Sequence, residues 1–359
     1  MMPIVQVPIE LNPIIREDLE RICAAPLPWG KLRNKTVAVT GGGGFLASYL
    51  IKAILAVSRT KNLNTHVVCI VRNKLNVKER LDAYIGAADF SIFEQDIVQP
   101  LERSFPRADY LIHAASQASP KYYGVDPVGT LLANSTGTMY LLQHAVHTKV
   151  DRFLFFSSGE VYGIPSDLEH VVNETDYGYI DPMNVRSCYA ESKRMGETMC
   201  VAWTQQYGLH TSVVRPFHTY GPGMALDDGR VFADFVADVV ARKDIVLKSD
   251  GMARRPFCYI ADATVGFLTV LLKGGSAEAY NVANPDAEIS IRDLAITISN
   301  LFPERKIKTT FEVQAPSNAY LKSPIQRSCP SIEKIRELNW QPTMNIEDGF
   351  RRTILSYER

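Results

Sequence analysis

Apolar and polar positions along this chain change their period in a regular order. Short continuous apolar runs at 36–40, 67–71, 110–114, 152–157 and 211–215 read as buried strands. Amphipathic stretches at 45–57, 128–148 and 189–207 read as helices between them. Buried strands alternating with helices predict an α/β fold, with a doubly wound parallel sheet of the Rossmann type covered on both faces. Past residue 216 the rhythm is broken by Pro, Gly and Asp clusters. Helical stretches recur there at 230–242, 261–273, 291–301 and 331–338, and strand-like 279–282 is placed to return to the sheet. The expected organisation is a helical extension over 1–34, a dinucleotide-binding domain over 35–215, and a smaller C-terminal α/β lobe, mainly for substrate, over 216–359. In the extension, Asn12-Pro13 opens a capped short helix that Pro26, Pro28 and Gly30 end.

Composition narrows the picture only a little. The 359 residues carry 39 Lys plus Arg and 39 Asp plus Glu, so no net charge favours nucleic acid or an anionic membrane. The six cysteines form no CxxC pair, and the seven histidines show no ligand spacing, so no metal is expected. The segment Met1–Pro8 lacks a signal-peptide pattern, and the most apolar helical stretch is too short to span a bilayer. Reduced core cysteines and a cytoplasmic location are the reading.

Two motifs carry chemistry. The first is TGGGGFLASYL over Thr40–Leu50, directly after the first strand. Gly41 permits the tight turn, Gly44 lets backbone approach a pyrophosphate, and Ala47 is small enough for helix–sheet contact; Phe45 and Leu46 open the helix whose N-terminus receives the phosphates. The second strand ends in Arg72-Asn73-Lys74 rather than in the acid that would hold the ribose. Asn73 can bond the ribose and Arg72 a 2′-phosphate, so NAD is the reading and Arg72 leaves NADP open. Asp96-Ile97, between the strand runs at 67–71 and 110–114, is a candidate for the adenine end.

The second motif is Tyr189-Ala-Glu-Ser-Lys193. Tyr189 and Lys193 are four apart on a helix and share a face. An ammonium beside a phenol favours phenolate, which can take a hydroxyl proton as hydride leaves. Ser158 would bond the same hydroxyl. Glu160 is a second acid/base or water-positioning candidate, unless it is a solvated loop carboxylate. Arg230 and Arg255 are candidate diphosphate clamps.

With these residues in view, the chain resembles the extended short-chain dehydrogenase/reductases of the nucleotide-sugar epimerase/dehydratase family. The likeness covers about 35–355 and rests on TGGGGFLAS, His113-Ala-Ala115, Ser158–Tyr162, YAESK, Arg215–Pro222 and Tyr280–Pro285. It implies a nicotinamide cofactor bound with help from Ala114 and Ala115, a nucleotide-diphosphate sugar, and a homodimer through 128–148 and 189–207. Within the family the stretches Ala115–Pro120, Tyr123, Arg186–Tyr189, Asp228–Val231 and Arg255–Tyr259 are most similar to the UDP-glucuronate decarboxylases. That implies catalytic Ser158, Glu160, Tyr189 and Lys193, and substrate contacts from Tyr123, His218, Arg230 and Arg255. Four positions depart from that pattern: Ser158 stands for Thr, Gly159 for Ser, His218 for Asn and Arg72 for Asp. Epimerisation, 4,6-dehydration or C4 oxidation/reduction of another nucleotide sugar therefore stay open beside decarboxylation. A non-catalytic dinucleotide sensor would not need Tyr189 and Lys193.

Overall fold

The computed structural model describes residues 12–165, 167, 169–312 and 325–358. The first eleven residues of the expected extension lie outside this set. In chain order the first elements are α1 (Pro13–Ala24), β1 (Thr36–Thr40), α2 (Phe45–Thr60), β2 (His66–Val71), α3 (Leu75–Leu81), β3 (Phe90–Glu94), β4 (Tyr110–His113), α4 (Pro127–Asn134), α5 (Thr136–Thr148), β5 (Arg152–Phe156), α6 (Cys188–Tyr207) and β6 (Thr211–Pro216). Then come β7 (Thr219–Tyr220), α7 (Val231–Val240), β8 (Ile245–Leu247), β9 (Arg254–Pro256), β10 (Cys258–Tyr259), α8 (Ile260–Lys273), β11 (Glu278–Val282), β12 (Glu288–Ser290), α9 (Ile291–Asn300), β13 (Thr309–Phe311), α10 (Glu333–Arg336) and α11 (Ile346–Leu355).

Seven strands form one parallel sheet in the order β11-β6-β5-β4-β1-β2-β3. The near-continuous apolar runs follow from burial on both faces, with helices of the α2–α8 and α5–α6 sides supplying two separate apolar layers. Strand order reverses between β1 and β4, so a crevice opens outside their carboxyl ends. The glycine turn and Ala114-Ala115 sit at those ends, and Ser158 follows the neighbouring strand β5. β11 returns to the sheet edge, and the remaining short strands past residue 216 pair two by two: β7 with β10, β9 with β12, β8 with β13.

Two helical expectations change. The helix read over 128–148 is broken at Ser135, where φ is −107° and ψ −77°. At the break the Asn134 side-chain amide bonds Ser192 Oγ of α6 at 3.0 Å, tying the two helices together. The stretch 331–338 makes only the short α10, and Asn339 follows at φ +62°. Helix α1 packs on α2 and α8. Its Asp18 is fully buried and accepts bonds from Tyr49 (2.8 Å), Tyr259 (2.6 Å) and Arg352 (2.8 Å).

Candidate active site

The turn after β1 is closed by Gly44 N–H donating to the Gly41 carbonyl at 2.8 Å. Gly41 takes φ +72°, and a Cβ there would stand 2.6 Å from Ala115 Cα. Any side chain would push the β4 loop away, so this position requires glycine. A Cβ at Gly42 would strike Cys69 Sγ, and one at Gly43 would crowd the Asn76 backbone at 3.0 Å. Gly44 caps α2 without a side-chain acceptor, which leaves the first amides, at Phe45 and Leu46, aimed along the helix end. This side-chain-free cradle on a helix N-terminus fits a dinucleotide pyrophosphate. Thr40 Oγ1 knits its floor: it meets His113 Nδ1 at 2.9 Å and accepts the amides of Ala114 and Ala115 at 3.2 Å each. Burial pushes the His113 imidazole down to about 3, so it is a neutral strut.

Arg72 and Asn73 are exposed past β2. Asn73 Oδ1 accepts the Leu75 amide at 2.8 Å. Arg72 reaches electrostatically toward Asp126, whose carboxyl is held low chiefly by the Gln117 amide. Asp96 Oδ1 accepts the Val98 amide at 3.2 Å, and Ile97 packs over Gly137.

Across the crevice, α6 presents Tyr189 and Lys193, both buried. The Ser158 side chain lies beside the Tyr189 hydroxyl, close enough to favour its phenolate. Lys193 Nζ donates to the Phe156 carbonyl at 2.5 Å and lies 5.7 Å from the Tyr189 ring centroid. Sequence reasoning expects this lysine to lower the phenol. In the protein alone burial dominates both groups: it lifts Tyr189 to about 12 and drives Lys193 down to about 7. Tyr123 stacks on Tyr189 with centroids 5.2 Å apart and donates its hydroxyl to the Ala118 carbonyl at 3.0 Å.

Ser158 Oγ also accepts the Glu160 amide at 3.2 Å, which opens a short 3-10 turn and turns Glu160 toward the site. Glu160 is gripped by Arg186 Nη1 at 3.0 Å and Nη2 at 3.4 Å. Sequence reasoning gives Arg186 no role; the available signal was its place three residues before Tyr189, on the turn entering α6. A Cβ on Gly159 would stand 2.6 Å from the Phe217 ring, so the ring occupies the space a side chain there would need. His218 follows at φ +22°. Its Nδ1 is buried without a partner among the described residues. Burial first, then Arg255 and Arg230, push the imidazole well below its ordinary range, so a neutral ring is offered. Arg230 bonds Asp228, and its charge reaches Tyr123 and Tyr189. Arg255 donates to the carbonyls of Ile325 (2.6 Å) and Gln326 (2.9 Å).

A glycine cradle at the switch point of a parallel sheet, facing a Tyr–Lys pair with a serine on the phenol, defines a nicotinamide-dependent oxidoreductase-type site. The sequence pattern of the NAD dependent epimerase/dehydratase family matches residues 37–283, and the chain belongs to this family; its cofactor is NAD. It is 33% identical over 317 residues to UDP-glucuronic acid decarboxylase 6 of Arabidopsis thaliana, covering 88% of this chain and 87% of that one. UDP-glucuronic acid decarboxylase 1 of Danio rerio is 32% identical, covering 91% and 73%. The fold is shared with the UDP-glucose 4-epimerase of Thermotoga maritima (TM-score 0.77, 22% identity, 90% of this chain and 98% of that one). It is shared as well with the dTDP-glucose 4,6-dehydratase of Bacillus anthracis (TM-score 0.74, 20% identity, 90% and 96%).

Proposed function

We propose that this enzyme acts on a nucleotide-diphosphate sugar, oxidises it at C4 and, with UDP-glucuronate as substrate, releases the C5 carboxylate as CO2. The observation that carries the reading is the Tyr189–Ser158 hydroxyl pair, with Lys193 behind it and Glu160 beside it, in a chain a third identical to UDP-glucuronic acid decarboxylases.

Bound NAD supplies the hydride acceptor. Gly41, Gly44, Phe45 and Leu46 would hold its pyrophosphate, Arg72, Asn73, Asp96 and Ile97 its adenosine end, and Ala114 and Ala115 would help to bind it. Tyr189 takes the C4 hydroxyl proton while Ser158 holds the same oxygen. Oxidation makes the C5 carboxylate β to a ketone, so its C–C bond can break with the electron pair delocalised onto O4. Glu160, fixed by Arg186, positions a solvent water that gives its proton to C5, the hydroxide passing back to solvent. Tyr189 returns its proton to O4 when the ketone is reduced. Arg230, Arg255, Tyr123 and His218 hold the sugar nucleotide, with the arginines on the diphosphate.

One observation favours a second outcome. Phe217 fills the place of a side chain at 159, so the hydroxyl that the resemblance assigns to the carboxylate's neighbour is absent. Without it the 4-ketone can turn and be reduced on its other face, giving 4-epimerisation. Mass spectrometry of UDP-glucuronate incubated with the enzyme and NAD separates the two. Loss of CO2 supports decarboxylation, a new isomer of unchanged mass supports epimerisation, and untouched substrate refutes both for this sugar. Tyr189→Phe is expected to cut turnover by roughly 10³-fold with the fold retained.

We further propose a homodimer. Val128, Leu131 and Leu132 on α4 and Met195 on α6 are exposed apolar side chains on two helices that pack together. Such a paired face suits burial against a second copy. All six cysteines are buried free thiols, which suits a reducing compartment, and we place the enzyme in the cytoplasm. No helix of the described residues is long and apolar enough to cross a membrane.

A further inference from the structure

Three consecutive residues at the end of β5 each hold one residue of α6. Ser158 meets the Tyr189 hydroxyl, the Phe156 carbonyl accepts Lys193 Nζ, and Ser157 Oγ donates to Glu197 Oε1 at 2.5 Å. Tyr189, Lys193 and Glu197 are spaced by four residues, so they lie along one ridge of the helix. Glu197 also takes a bidentate grip from buried Arg215, Nε to Oε1 at 2.9 Å and Nη2 to Oε2 at 2.6 Å. Arg215 is anchored in turn on the Tyr162 hydroxyl at 2.8 Å and the Glu174 carbonyl at 3.0 Å.

We propose that Glu197 is a positioning residue of the proton-transfer site: it clamps the Lys193 ridge of α6 to the end of β5 and supplies the negative field that Lys193 feels. The groups facing Lys193 are Tyr189 and Glu197 on its own helix, neutral His113 from β4, and the Phe155 ring and Phe156 carbonyl from β5. Arg215 of β6 stands behind Glu197 and bonds its carboxylate rather than the lysine. Burial drives the lysine down, and Glu197 is the charge that opposes it. Ser157 matters because its hydroxyl draws charge from the carboxylate oxygen it binds.

The inference rests on the proposed function only in giving Lys193 a catalytic task; its test needs no sugar. The NAD-loaded enzyme is labelled with 13Cε-lysine, and Lys193 is titrated by NMR, its signal assigned by loss in Lys193→Met. Glu197→Gln is expected to lower the Lys193 midpoint by about one pH unit. Ser157→Ala keeps the Arg215 pair, frees negative charge toward the lysine, and is expected to raise the midpoint by a few tenths. Should Glu197→Gln fail to fold, Ser157→Ala decides alone. An unchanged midpoint in the folded variants would leave Glu197 a purely structural partner of Arg215 and overturn the proposal. If the parent enzyme converts no nucleotide sugar, the function reading fails while the titration still stands.

Discussion

Lys193 shows how burial and chemistry compete at one residue. Its ammonium gives up its proton near 7 in the folded protein but near 10.5 when unfolded. Between those values the unfolded chain binds more protons, so this group's contribution to stability rises with pH, by at most about 1.4 kcal/mol per pH unit. Below about 7 the burial penalty on the charged form is complete. Lys193→Met removes that penalty. In the cofactor-free protein its stability relative to the parent is therefore expected to fall between pH 7 and 9, as measured by urea melts. Tyr189, pushed up to about 12, does not titrate in this window. At Gly159 the constraint is steric: Gly159→Ser is expected to cost about 1–3 kcal/mol by overpacking against Phe217. Phe217→Leu should recover part of that loss.

At the scale of elements, α1 is a brace. Asp18 joins α2, which carries the glycine turn, to Tyr259 at the entry of α8 and to Arg352 of α11. Asp18→Ala leaves the buried Tyr49 hydroxyl without its acceptor and takes one partner each from Tyr259 and the half-buried Arg352, which keeps Glu17; it is expected to cost about 2 kcal/mol, read from a denaturant melt. Five strands between residues 36 and 216 were legible because two-sided burial writes each as a nearly unbroken apolar run; β3 (FSIFE), an edge strand and only partly buried, carries no such run and was not among those read. The break at Ser135 was not, since both halves keep a helical apolar period and the cause is Asn134 reaching Ser192 on another element. The Tyr189–Lys193 spacing could be read because it is local to one helix, and Ser158 could be singled out because it directly follows an apolar strand run. The Arg186–Glu160 and Arg215–Glu197 pairs could not, because each joins segments that only the sheet brings together.

For the whole molecule, the strand order β5-β4-β1 sets the glycine turn at the end of β1 and the α6 residues held at the end of β5 on either side of β4. The second copy expected on α4 and α6 would cover the outside of that same helix, joining assembly to the stability of the catalytic ridge. Leu132→Asp with Met195→Asp is expected to give a monomer by light scattering and to lower the melting temperature. A parent protein that is already monomeric at micromolar concentration would refute the dimer.

Decarboxylation and 4-epimerisation share one first step, hydride removal from sugar C4. The most direct measurement is a single turnover of UDP-glucuronate carrying deuterium at C4, following the near-ultraviolet absorbance of reduced nicotinamide. C4 oxidation predicts a transient rise in that absorbance, slowed by the deuterium and abolished in Tyr189→Phe. Product formed with no transient and no isotope slowing would contradict C4 oxidation, and with it the role given to Tyr189.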